Sequence, residues 1–129
     1  MEQEQLTVII RAQDLCSLIF EATDKSPKKF RATFSAKMQN LSMEIIEALY
    51  LANEVFVTQE NKLSRYPIRR DYQHTALTKI KLLAYFANTA LSNQAITVKQ
   101  FEQIAKLTKD CQNLIGGWIK KEKKRWYVD

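Results

Sequence analysis

Two glycines, two prolines, two cysteines and one histidine are all that this 129-residue chain holds of those four residue types. So few glycines and prolines remove the turn punctuation that a β-rich fold needs and leave room for long, uninterrupted helices. Cys16 and Cys111 stand far apart with no CxxC spacing, and one histidine cannot complete a zinc set, so neither metal nor cofactor is expected. The two thiols read as small buried hydrophobes in a reducing cytoplasm. No apolar run is long enough to cross a bilayer, and no charged-then-apolar leader is evident. A cytoplasmic protein without a membrane partner is the expectation. Catalytic patterns are missing too. His74 has only Asp71 and Lys79 nearby in sequence, and no Ser-His-Asp order, HExxH or glycine-rich phosphate loop is present. These absences point away from an enzyme.

What is present is helical periodicity. At this length the chain has room for one domain with a single core. Val8, Ala12, Leu15, Ile19 and Ala22 repeat at three- and four-residue intervals and predict a helix over about 6–23. Ser26-Pro27 reads as an N-cap and a first-turn proline opening a second helix over 27–57. Its seam is Phe30, Phe34, Met38, Leu41, Ile45, Ala48, Ala52 and Val55, widened by Leu49 and Phe56. The polar stretch 58–66 reads as a loop, and Pro67 as the start of a third helix over 67–91. That helix turns Tyr72, Ala76, Ile80, Leu83, Ala84, Ala87 and Leu91 inward. Thr97 and Gln100 form a capping-box pattern that opens a fourth helix over 97–124. Phe101, Ile104, Thr108, Cys111, Ile115 and Trp118 supply its seam, and residues 120–129 read as a basic C-terminal tail. Four long helices with short connections predict an all-α, up-down-up-down four-helix bundle. Leu77, Leu82, Phe86, Leu107 and Leu114 cannot all face one axis, which favours a homo-oligomer over a monomer with broad stripes.

Charge is uneven. Residues 1–59 carry six Lys/Arg against eight Asp/Glu, a net −2, and residues 60–129 carry fourteen against six, a net +8; together they give the overall +6. A basic half suits a polyanion or an acidic protein surface, or merely keeps a helical protein soluble. Gly116-Gly117 interrupts a good helix former at roughly 1 kcal/mol per glycine. The pair reads either as a helix end or as a close approach by another helix, with Trp118 packing beyond it. The apolar period continues through Trp118 and Ile119, which favours the continuous helix and the close contact. Trp126 and Tyr127, beyond the cations, could stack on bases or pack locally.

Thr97-x-x-Gln100-Phe101-Glu102, followed by Leu114-Ile115-Gly116-Gly117-Trp118-Ile119, resembles the fourth helix of the accessory variability determinant (Avd) proteins. These belong to the diversity-generating retroelements of bacteria and phages. Their wider relatives are the four-helix proteins encoded by intervening sequences in 23S rRNA genes. The resemblance implies a homopentameric ring of bundles with no catalytic role of its own. It also implies a partner reverse transcriptase, binding of RNA and DNA with weak sequence preference, and support of mutagenic retrohoming. In the matching pattern Lys81 stands where the family has a basic residue, Lys79 lies near it, and Tyr85 replaces an expected cation. Arg69 and Arg70 are candidates to compensate, with Lys120, Lys121, Lys123, Lys124 and Arg125 as tail cations for phosphate. Gly116, Gly117 and Trp118 are the candidate helix or oligomer contacts. The alternative is a protein of the ribosomal intervening-sequence type, RNA-associated or structural, with no polymerase partner. A third reading is a helical adaptor whose basic side meets an acidic protein.

Overall fold

The periodicities fold into four helices, and the computed structural model describes residues 3–127 of the chain. They are α1 (Gln3–Asp24), α2 (Ala36–Glu54), α3 (Lys62–Ser92) and α4 (Val98–Arg125), with no strand among the described residues. Each helix packs on its neighbours in chain order and α4 closes back onto α1, leaving α1–α3 and α2–α4 as diagonals. Contacts between helix ends show the alternating direction. Gln39, early in α2, donates to Thr23, late in α1, and Arg69, early in α3, reaches Glu122, late in α4. One apolar cluster runs through all four helices.

The α1 stripe is buried as the spacing predicts, from Val8 to Ala22. The α4 seam is also buried at Ile104, Thr108, Cys111, Ile115 and Trp118, while Phe101 is half-buried. Its capping box forms in both directions: the Gln100 amide donates to Thr97 Oγ1 at 3.1 Å, and the Thr97 amide donates to Gln100 Oε1 at 2.9 Å.

Two helix starts differ from the sequence expectation, each for a local reason. Ser26 does not cap a second helix, because its hydroxyl donates back to the Ala22 carbonyl and closes α1. The chain then makes a 3₁₀ turn (Lys28–Phe30) and a π turn (Arg31–Ser35) before α2 begins at Ala36. There the Ala36 amide reaches five residues back to the Arg31 carbonyl. α3 starts five residues before Pro67. Asn61 precedes it, locked to Thr58 by reciprocal bonds: the Thr58 amide donates to Asn61 Oδ1 at 2.7 Å, and the Asn61 amide donates to Thr58 Oγ1 at 3.2 Å. Pro67 therefore sits inside the helix, in its second turn. α4 runs to Arg125, within one residue of the expected end, and Trp126 packs against Val55, Val57 and Tyr66, while residues 128–129 of the expected tail lie outside the described residues. Phe56 does not widen the α2 seam; it is exposed.

α3 ends in a Schellman arrangement, with the Ala95 amide on the Ala90 carbonyl and the Gln94 amide on the Leu91 carbonyl. Gln94 takes the left-handed position, φ 62°, that glycine usually fills.

Candidate nucleic-acid interface

Burial splits the cations that the sequence grouped together. On α3 the inward positions run Tyr66, Arg69, Gln73, Ala76, Ile80, Leu83, Ala87, Ala90, at alternating intervals of three and four. Arg69 falls on that inner seam and is 8% exposed, so it does not face solvent as a phosphate ligand. Its Nη1 donates to Glu122 Oε1 at 2.6 Å, while Nε and Nη2 donate to the Val55 carbonyl at 3.1 and 2.6 Å. Trp118 Nε1 donates to the same Glu122 oxygen at 3.1 Å. One guanidinium thus ties the C-terminal end of α2 to α4, where a cation also suits the helix dipole.

Lys79 is half-buried and pairs with Glu44 of α2 at 3.0 Å, which neutralises part of its field. Arg70 and Lys81 are exposed. With His74 and Leu77 between them, they follow at intervals of four, three and four along the flank of α3 that borders α4. The two predicted α3 lysines thus lie on different flanks. Lys120, Lys121, Lys123, Lys124 and Arg125 are all exposed, on a helix and not on a loose tail.

Three cations that the family pattern did not single out complete the picture. Lys99, Lys106 and Lys109 are exposed, and they share one outer stripe with Lys120 and Lys124. Glu102, Asn113 and Gly117 occupy the remaining places on that stripe. It spans twenty-five residue steps, roughly 37 Å of helix and about the length of one turn of duplex DNA. The signal was a heptad of lysines opposite the apolar seam. All eight cations of α4 are exposed; of its three carboxylates Glu122 is internal, leaving Glu102 and Asp110, so the reachable balance is 8 − 2 = +6.

Gly116 and Gly117 do not mark a close approach within the chain. A Cβ built on either meets nothing within 4 Å. Trp118, beside them, faces inward and is buried. Most of the supposedly spare apolar surface is also used internally, since Leu77, Phe86, Leu107 and Leu114 are half-buried against the core. Only Leu82 of that set is exposed; other exposed apolar side chains include Leu6, Ile10 and Phe20 on α1, Met43, Tyr50 and Leu51 on α2, and Leu63, Ile68 and Tyr85 on α3.

The two cysteines differ. Cys16 is half-buried, with the Ser42 hydroxyl 3.4 Å from its sulfur, whereas burial pushes the Cys111 thiol up to about 12, with nearby Asp110 adding to the rise. Among the described residues no three His, Cys, Asp or Glu side chains gather to hold a metal ion, and no helix is long and apolar enough to cross a membrane. Comparison with models of known protein families, with curated proteins and with solved structures found no match.

Proposed function

We propose that this bundle is a non-catalytic accessory subunit of a diversity-generating retroelement, binding the element's reverse transcriptase and its template RNA or DNA in the cytoplasm. The observation that carries the nucleic-acid part is the outer stripe of α4, where Lys99, Lys106, Lys109, Lys120 and Lys124 are exposed with Glu102 as the one carboxylate among them. Lysines predominate there. A lysine is a point charge on a flexible stem, suited to phosphate and poor at reading bases, so binding is strong in charge and weak in sequence preference. The reverse-transcriptase part is supported by the resemblance of 97–102 and 114–119 to Avd proteins. A homopentameric ring belongs to the same reading. The exposed apolar side chains of α1 and α2 and the open glycine pair of α4 give such neighbours something to cover. A ring would repeat the α4 stripe and sum weak contacts into avidity.

Filter binding across a salt series is the decisive experiment. The logarithm of the duplex affinity should fall with log salt by about 0.9 per phosphate neutralised, and Lys106→Glu with Lys109→Glu should flatten that slope. A salt-independent affinity would remove the proposal's basis. Light scattering on the same protein should give five times the chain mass if the resemblance holds in full, and a monomer would cancel the avidity argument. A reverse-transcriptase gene beside this one supports the retroelement assignment; a position inside an rRNA operon replaces it with the intervening-sequence type.

A further inference from the structure

Where the start of α3 meets the end of α4, Leu63, Tyr66, Pro67, Arg70 and His74 face Ile119, Lys123 and Tyr127 across a cleft of about 450 Å³. No carboxylate lines it. Two cationic side chains stand one on each wall, Arg70 on α3 and Lys123 on α4, and two phenol rings accompany them. The rings differ in state. Tyr66 is buried, and burial pushes its phenol above the ordinary value, with Arg70 partly offsetting the rise and Glu122 adding to it. Its phenol stays neutral. The Arg70 guanidinium lies 5.5 Å from the centre of that ring, which holds it on the α3 wall. Tyr127 is 61% exposed, whereas neighbouring Trp126 is 4% exposed and committed to packing.

We infer that this cleft receives one unpaired nucleotide of a single strand, the base against Tyr127 and its phosphate between Arg70 and Lys123. The inference rests on the polyanion reading above and adds a contact that the α4 stripe lacks. A row of lysines meets phosphates whether strands are paired or not. A cleft between two helices, walled by rings and by Leu63 and Ile119, needs a flat apolar body attached to an anion. A paired base inside a duplex has both faces stacked and cannot enter. The volume lies within the usual range for a small-molecule site and accommodates about one nucleotide. Stacking on an aromatic ring tolerates any base, so strand preference arises here without sequence preference.

The test compares the full chain on a single strand of about twelve nucleotides, as RNA and as DNA, with the same sequence as duplex. Tyr127→Ala should weaken single-strand binding by about tenfold while leaving the duplex within about twofold. Arg70→Ala with Lys123→Ala should lower the single-strand affinity by more than the duplex affinity. Lys106→Glu with Lys109→Glu should lower both. A strand carrying a photoreactive uracil should crosslink to Tyr127 or Tyr66. If Tyr127→Ala leaves the single strand unchanged or weakens both probes alike, or if the crosslink maps to α1 or α2, the cleft assignment is overturned while polyanion binding stands. If the unaltered protein binds neither probe, polyanion binding itself has failed and the cleft assignment fails with it.

Discussion

Replacing Arg69 with methionine keeps an unbranched stem and removes the guanidinium that joins α2, α3 and α4. Three hydrogen bonds disappear, two to the Val55 carbonyl and one to Glu122. Glu122 is then a carboxylate with 3% exposure whose remaining partner is the Trp118 indole. Removing one member of a buried ion pair costs about 3–5 kcal/mol, because the other charge stays desolvated and uncompensated. Domains hold only about 5–15 kcal/mol in total, so Arg69→Met should take a large share of it and lower Tm by about 10–20 °C. Arg69→Met with Glu122→Leu should recover part of the loss. Both charges are gone, and what remains is an underbonded Val55 carbonyl and an unpaired Trp118 N–H, about 1–3 kcal/mol. Urea unfolding followed by far-UV circular dichroism and by tryptophan fluorescence measures all three proteins, since Trp118 and Trp126 are both buried. A loss below about 1 kcal/mol for Arg69→Met, or a double variant no more stable than Arg69→Met alone, would refute the buried-pair reasoning.

Other consequences are open to measurement. Gly116→Ala and Gly117→Ala should each stabilise the isolated chain by about 1 kcal/mol, seen as a higher urea midpoint, because the added methyl meets open space. A drop in assembly mass on light scattering, alongside that gain, would place another subunit against the pair. Gln94→Gly should raise stability by up to about 1 kcal/mol by relieving the left-handed backbone, and a lower midpoint would show that the glutamine side chain matters more than its φ. The Cys111 thiol titrates at about 12 when folded, against an ordinary 9.0. Below pH 9 both states keep the proton; above it only the unfolded thiol loses it, so stability falls by up to about 1.4 kcal/mol per pH unit towards pH 12. Cys111→Ala should lose that component of the alkaline slope, and an unchanged slope would assign it elsewhere.

How much of this was legible in the sequence depends on the element. The α1 and α4 seams and the Thr97 capping box are single-period signals with clear ends, and they appear in the structure where the spacing places them. The start of α3 is concealed because a proline suits the first turn of a helix, while the Thr58–Asn61 exchange carries the true boundary. Arg69 is concealed because arginine is rarely internal unless paired, and its partner lies fifty-three residues away. The clue was positional: Arg69 and Gln73 sit in phase with Ala76 and Ile80, and Glu122 in phase with Ile115 and Trp118. Opposite charges in phase on two adjacent seams are a pairing signal that composition alone conceals. The Arg70–Lys123–Tyr127 cleft needed the antiparallel contact of α3 with α4, which no local window contains.

The π turn at Arg31–Ser35 has an evolutionary corollary. A five-residue reach is how a helix looks after absorbing one residue more than its period allows. The buried α2 seam from Met38 onward lies wholly downstream of it. Losing one residue from this turn would let the bulge tighten into ordinary α-helix and leave that seam in place. The same deletion within Ala36–Glu54 would rotate every later side chain by about 100° and drive polar groups into the core. Length variation among homologous chains should therefore collect at this turn and be excluded from the rest of α2.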